Sequence, residues 1–595
     1  MTILSSLARA YDRLPNAPPF GYSSEKIGVV VGLNDDGSVA SVTDWREGEG
    51  KKARPRPMLV PQPVKRTAGI APNFLWDKTS YVLGVTAGEG RRTADEHRAF
   101  VERHLADLEG SDDPGLRAFL SFLTTWSPEQ FSALPWQDGM KDQNVVFALE
   151  SDRRANIFLH DRPAARALWE RLSARGSGRE QICLVRGEPG AVARLHPSIK
   201  GVWGAQSSGA ALVSFNLDAF TSYGHEQGDN APVSEAAAFA YTTALNRFLE
   251  RDSGHRIQIG DASTVFWADA SEIGKAEVAE MLFPVFFDTA GQEQEAEEKI
   301  GVKRIRERLE QICMGVPLEE VEPDLGNVQF YVLGLAPNAA RLSIRFFHSS
   351  NFGELTRHYQ QFVSDMRIEP PDRRDPFPPL WRYLRETAVL GKGENVTPNL
   401  AGEWMRSILS GTNYPLTLLS SVLTRIRADG EINALRAGIL KALLIRNFWS
   451  FVVNARHSLS KEEAYLALEK ENKDPAYVLG RLFALLEKMQ LLALGKVGAT
   501  IRDRYYGAAS ASPRTVFPLL LKLNHHHRSK AEKDLLKRKL AGYFSSEMGE
   551  IINLLGSELP VSLPLVEQGK FAIGYYHQFN FRKPDDTVSQ EEDAA

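Results

Sequence analysis

The chain of 595 residues carries only two cysteines, Cys183 and Cys313, in the apolar contexts Gln-Ile-Cys-Leu-Val and Gln-Ile-Cys-Met-Gly. Two distant thiols exclude a disulfide framework and a thiolate metal site, so both read as buried free thiols. No stretch approaches the roughly eighteen uninterrupted apolar residues of a membrane span. The opening MTILSSLARAYDRL also lacks the long apolar core and cleavage site of a secretory signal. A cytoplasmic protein with no membrane partner is expected. Glycine-rich phosphate chemistry is missing too, because no Gly-Lys-Ser/Thr stands at P-loop spacing and no Gly-x-Ser-x-Gly forms a nucleophile elbow. Apart from His525-His526-His527 the histidines are scattered, and none reads as part of a metal-dependent phosphohydrolase site. His525, His526 and His527 are consecutive, and helical neighbours point about 100° apart, so they cannot share one ion. They read as a polar helix end or a phosphate-facing turn. No catalytic set, metal or cofactor is expected.

What is present is an ordinary globular composition, 43% hydrophobic and 25% charged, long enough for two or three domains. The net charge of −4 hides an uneven distribution: residues 381–595 hold 29 Lys+Arg against 23 Asp+Glu, a net of +6, leaving −10 for residues 1–380. Local patches therefore say more than the total. The densest lies in KKARPRPMLVPQPVKRTAGIAPNFLWDKTSYVLG, which supplies Lys51, Lys52, Arg54, Arg56, Lys65 and Arg66 with no acid before Asp77. Pro55, Pro57, Pro61 and Pro63 exclude a helix and argue against a central strand, so the cations ride on a stiff extended segment suited to a phosphate backbone. Beyond a turn at Gly69 and Pro72 stand Asn73, an amide able to read base edges, and Phe74, a ring able to wedge a base step. The structural alternative is a loop whose Phe74, Leu75 and Trp76 plug into the core.

The segments YDRLPNAPPFGYSSEKI, REGEGKKARPRPMLVPQPVKRTAGIAPNFLWDKTSYVLG and GAQSSGAALVSFNLDAFTSYG, with NAPVSEAAAFAYTTALNRFL and further stretches of the C-terminal half, resemble the large subunit of the subtype I-C CRISPR Cascade surveillance complex. The resemblance covers essentially the whole chain. It implies a non-catalytic subunit at the foot of the complex, near the 5′ end of the CRISPR RNA. There it would inspect double-stranded target DNA for the protospacer-adjacent motif, promote strand separation and R-loop formation, and recruit a separate helicase-nuclease. The implied partners also include the Cascade backbone and guide-end-capping subunits, and a small subunit from an internal start of the same gene, equivalent to the C-terminal helices. Met489 is an in-frame candidate start, but it falls inside an expected helix, so a non-AUG codon near Leu468 is the better physical choice. Pairing with the guide would read sequence while the protein reads the motif, the division of labour of another RNA-guided effector. Lys51, Lys52, Arg54, Arg56, Lys65 and Arg66 are assigned to phosphates, Asn73 to reading, with Gln62 and Thr67 as lesser readers, and Phe74 to the wedge. A glycine-serine loop with Gln206, Ser207 and Ser208 offers a second contact.

The fold expected is α+β, a mixed α/β N-terminal region over residues 1–369, then a Pro-rich linker at 370–380, an all-α helical bundle at 381–584 and a disordered acidic tail at 585–595. In the first region residues 27–33 and 38–42 read as a hairpin across Asp36-Gly37, Thr93 and Glu96 as a capping box, and Ser127-Pro128 as a helix start. Residues 145–149, 157–159, 181–185 and 211–215 read as strands, and 164–172 as a helix. A later hairpin turns at 336–339 and is followed by a helix at 352–366. Helical spacing then recurs at 403–409, 416–427, 432–448, 461–471, 476–494, 514–523, 530–543 and 547–555. Lys522, Arg528, Lys530, Lys533, Lys537, Arg538 and Lys539 form a cationic stripe, either a solvated face or a strand-guiding groove. Two other classes compete: a metal-dependent nuclease acting on DNA or guide precursor, and a purely structural scaffold.

Overall fold

The computed structural model describes residues 2–581 except 15, 16, 49–52, 65–68, 134, 175–178, 270–272, 288–299 and 451–459. The expected acidic tail, residues 585–595, lies outside them. The chain forms an α+β N-terminal region followed by helices, and it divides into two compact units.

The first unit comprises Thr2–Pro197 and Val213–Ala244. Its strands are β1 (Tyr22–Ile27), β2 (Val29–Leu33), β3 (Val39–Asp44), β4 (Arg56–Pro61), β5 (Trp76–Lys78), β6 (Asn144–Leu149), β7 (Glu180–Ile182) and β8 (Pro189–Ala191). A four-stranded sheet runs in the order β3-β2-β6-β5, with β2 and β6 parallel and the other pairs antiparallel. The hairpin between β2 and β3 turns as expected, with Gly37 at φ 89°. The strand period of two explains why β2 is buried throughout. Val29, Val31 and Leu33, with Val145 and Phe147, face a core holding Phe100 of the Thr93–Asp107 helix and Phe119 and Phe122 of the Pro114–Thr125 helix. Val30, Val146 and Ala148 face the other way, toward Ile27 and Val60.

The second unit comprises Ser198–Leu212 and Leu245–Ala595. Its antiparallel sheet runs β12 (Arg341–Asn351), β11 (Gln329–Asn338), β10 (Ala262–Asp269), β9 (Arg256–Ile259). One core extends from Ile257 and Phe330 through Trp404 and Leu440 to Phe571 and Tyr576. The Pro-rich stretch after Glu369 is built into that core rather than strung between two: Glu369 N–H donates to Leu466 O at 2.8 Å, Tyr576 Oη to Pro370 O, and Leu380 is buried. Polar backbone with good partners and flanking apolar anchors has no reason to stay in solvent.

Several local expectations shift. Residues 157–159 and 211–215 form no strand, the former leading into a 3-10 turn at Leu159–Asp161. Thr93 begins its helix without a capping hydrogen bond, and Ser127-Pro128 opens only the 3-10 turn Pro128–Ser132. The late hairpin turns two residues further on, at Ala339, which takes φ 52°. Residues 461–466 form turns, with Tyr465 at φ 56°. The stretch 530–543 breaks at 533–537, between the helices Pro513–Glu532 and Arg538–Asn553. Cys183 and Cys313 are both buried and free.

Candidate nucleic-acid interface

The proline-bearing segment is a strand after all, in the one setting where prolines fit. β4 pairs antiparallel with β1 alone, Ile27 opposite Arg56 and Tyr22 opposite Pro61. Pro57 and Pro61 share one parity along the strand, where a missing N–H costs the two-stranded ladder nothing. Ile27 and Val60 anchor this ribbon to the four-stranded sheet, with Met58 and Trp45 partly buried beside them. A loop leaves the ribbon and closes at Glu47 and Arg54, whose amides and carbonyls exchange two hydrogen bonds of 2.8 Å. Lys51 and Lys52 belong to that loop and lie outside the described residues.

The described cations differ in how freely they carry charge. Arg54 is exposed, and no acid lies within ion-pair distance of it among the described residues. Arg56 is half-exposed, 3.5 Å from Glu47, with its guanidinium 5.2 Å from the centre of the Trp45 ring. Arg46 is spent on Asp44, gripping both carboxylate oxygens at 2.8 and 2.6 Å. Those hydrogen bonds hold the Asp44 carboxyl below the usual carboxylate range. Lys26, on the partner strand opposite Pro57, is exposed and adds a cation that reading the rail by itself misses. Its position becomes visible only once β1 and β4 pair. Lys65, Arg66 and Thr67 lie outside the described residues, and Gln62 is exposed at the end of β4.

Asn73 and Phe74 are not at a tip, which corrects their assignment as reader and wedge. Asn73 is 4% exposed and Phe74 fully buried. Asn73 Oδ1 accepts from Val64 N–H at 3.0 Å, and its own N–H donates to Asp77 at 2.8 Å. Phe74 stacks between Trp169, 5.3 Å away, and His104, 5.8 Å away. Leu75 follows at φ 61°, its N–H donating to His104 Nε2 at 2.8 Å while His104 Nδ1 donates to Phe100 O at 2.7 Å. Both imidazole nitrogens are therefore committed in the neutral form. Complete burial pushes His104 down to about 3. Trp76 Nε1 donates to Pro61 O at 2.7 Å, tying the far end of this segment back to β4. The segment is a clasp holding the base of the loop that carries residues 65–68. The apolar run Phe-Leu-Trp was the sequence signal for it.

In the second unit, Gln206, Ser207 and Ser208 are exposed on a loop closed by paired hydrogen bonds of 2.9 Å between Ile199 and Ala210. Gly209, at φ 95°, has no room for a side chain, since a Cβ there would meet Ile199 O at 2.9 Å. Trp203 on the same loop is 65% exposed, an aromatic face that attention to the polar residues overlooks. The cationic stripe occupies the Pro513–Glu532 helix, a turn, and the start of the Arg538–Asn553 helix. Arg528 pairs with Glu532 at 2.7 Å and Lys537 with Asp534 at 3.6 Å. Lys522, Lys530, Lys533, Arg538 and Lys539 are exposed with no acid within ion-pair distance among the described residues.

Among the described residues no group of three or more His, Cys, Asp or Glu side chains is arranged to hold a metal ion. No described helix is long and apolar enough to cross a membrane. Comparison with protein families matches residues 7–582 to the one described as CRISPR-associated protein (Cas_Csd1). Comparison with curated proteins finds no match.

Proposed function

The chain belongs to the CRISPR-associated protein (Cas_Csd1) family, the large subunit of the type I-C Cascade, and from that premise we propose that its β1/β4 ribbon engages duplex target DNA. The observation that carries this reading is an edge ribbon seated on a rigid core and carrying exposed Arg54 and Lys26 beside the loop that contains Lys51 and Lys52. Cations on a two-stranded ribbon track phosphates irrespective of sequence and fix register and orientation. Motif reading then falls to groups beside the ribbon: Gln62, and Thr67 in the loop clasped at its base by Asn73. Lys65 and Arg66 add phosphate contacts there. The subunit is non-catalytic, and opened DNA passes to a helicase-nuclease recruited in trans. The exposed Gln206, Ser207, Ser208 and Trp203 form a second contact, where an indole face suits base stacking. The stripe from Lys522 to Lys539 guides a single strand by charge.

The test uses the assembled complex with Lys51→Ala, Lys52→Ala and Arg54→Ala combined. Loss of three phosphate contacts flattens the slope of log affinity against log salt by about 0.9 per contact, with motif preference retained. Gln62→Ala instead relaxes discrimination between matched and motif-mutated duplexes. A triple variant with the parent's duplex affinity and salt slope sinks the ribbon assignment and leaves a scaffold. Duplex cleavage by the isolated chain with divalent metal overturns the non-catalytic reading.

A further inference from the structure

Four exposed cations with no acid within ion-pair distance among the described residues flank a turn that also exposes two leucines. Leu535 is 84% and Leu536 93% exposed, at the tip between the Pro513–Glu532 and Arg538–Asn553 helices. Lys530 and Lys533 precede the leucine pair, and Arg538 and Lys539 follow it. Glu532 and Asp534, interleaved with the first two, pair with Arg528 and Lys537, so the uncompensated order along this surface is two cations, two leucines, two cations.

The end of the same chain has the complementary order. After Arg582 and Lys583, residues 585–595 read DDTVSQEEDAA, with Asp585 and Asp586, then Val588, then Glu591, Glu592 and Asp593, and no base among them. The described chain ends beside the middle of the Arg538–Asn553 helix that carries one side of this surface. Lys470 Nζ lies 5.1 Å from the centre of the Phe581 ring and 3.8 Å from Glu547 in the Arg538–Asn553 helix. Lys488 Nζ also donates to Phe581 O at 3.4 Å, fixing the exit point. From Glu547 back to Arg538 is about 14 Å along the helix at 1.5 Å per residue. An extended chain gains about 3.3 Å per residue, so Asp585 and Asp586 reach about 13–17 Å from Phe581 and Glu591–Asp593 about 33–40 Å. Tethering raises the effective concentration of the acids at this surface to the millimolar range.

We propose that residues 585–593 dock on this helix-turn-helix tip: Asp585 and Asp586 on Arg538 and Lys539, Val588 over Leu535 and Leu536, and Glu591, Glu592 and Asp593 on Lys533 and Lys530. The docked acids occupy the places phosphates would take, and a nucleic-acid strand displaces them. That consequence rests on the strand-guiding role given above to the stripe, whereas the docking rests on the charge and apolar order. Each contact is solvent-exposed, so the attachment weakens with salt as exposed ion pairs do.

Zero-length carbodiimide coupling of the purified full chain, followed by peptide mass spectrometry, tests the docking. The expected products join Asp585 or Asp586 to Lys539, and Glu591–Asp593 to Lys530 or Lys533, and they fade at about 0.5 M salt, where the Debye length is only a few ångströms. Lys530→Glu with Lys533→Glu abolishes the second set. Absence of both sets, or coupling of the tail acids only to Lys470 and Lys488 at the exit, overturns the docking. A chain ended after Phe581 is expected to bind single-stranded DNA several-fold more tightly at low salt, with the gain lost when Lys530, Lys533 and Arg538 become Ala. Specific couplings with unchanged DNA binding in the shortened chain leave the docking intact and overturn the stripe's role in guiding a strand.

Discussion

Phe74 shows how residue type and position can point to the wrong side of a surface. An Asn-Phe pair after a basic, proline-rich stretch has the chemistry of a duplex-opening tip, and the same ring stacked between Trp169 and His104 is core. Replacing Phe74 with Ala is therefore expected to cost about 3–5 kcal/mol of stability, the usual range for emptying a large buried site, read as a lowered urea midpoint. A normal midpoint together with lost duplex opening would restore the wedge. Asn73→Ala leaves Val64 N–H without its acceptor and is expected to cost about 1 kcal/mol. Its effect on motif discrimination should be indirect, loosening the loop. Gln62→Ala, by contrast, should change discrimination with no change in midpoint. What the sequence displays here is the apolar run Phe74-Leu75-Trp76; what it hides is the left-handed backbone at Leu75, which only the hydrogen bond to His104 explains.

At the level of elements, the helix Leu565–Asn580 at the centre of the second unit escapes helical periodicity, and the reason is physical. It is buried along nearly its whole length, so no polar face alternates with an apolar one. Its polar residues point inward to partners: Lys570 to Asp474 at 2.8 Å, His577 to Tyr477 at 2.9 Å, Gln578 to Arg481 at 3.0 Å. Its Gly574, with Gly480 of the Pro475–Leu494 helix, permits the two helices to approach closely. A Cβ on Gly574 would fall 2.2 Å from Tyr477 O, and one on Gly480 2.0 Å from Phe571 O. Neither obstacle is a flexible side chain. Gly574→Ala or Gly480→Ala is expected to cost about 2 kcal/mol or more despite Ala's better helix propensity, because backbone must move. Thermal unfolding of either variant at the parent's midpoint would contradict that packing. The same helix bears on the small subunit implied by the family. A product starting near Leu468 would contain both helices of this glycine contact, whereas one starting at Met489 would sever the first helix within its buried length. A mass spectrum of the purified complex showing no short C-terminal product would remove the internal start altogether.

Across the whole molecule, neutral histidines are locked into both units. In the first, burial pushes His104 down to about 3 and His160 and His196 to about 4; in the second, it pushes His348 to about 4 and His577 to about 3. In the unfolded chain each returns to about 6.5. Between the folded and unfolded values the unfolded state binds more protons, so stability is complete above pH 6.5 and falls as pH drops toward 4. For His104, which is fully buried with both nitrogens bonded, the loss at pH 5 relative to pH 7 is about 2 kcal/mol. None of this is visible in the net charge of −4 or in the placement of the 13 histidines, because it depends on which of them the two cores enclose. The chain should accordingly show lower urea midpoints at pH 5 than at pH 7 in both units, at constant ionic strength. A flat profile over that range would mean that these imidazoles take up protons without unfolding, a behaviour the Asp161 carboxylate 3.9 Å from His160 Nε2 would favour at that one site.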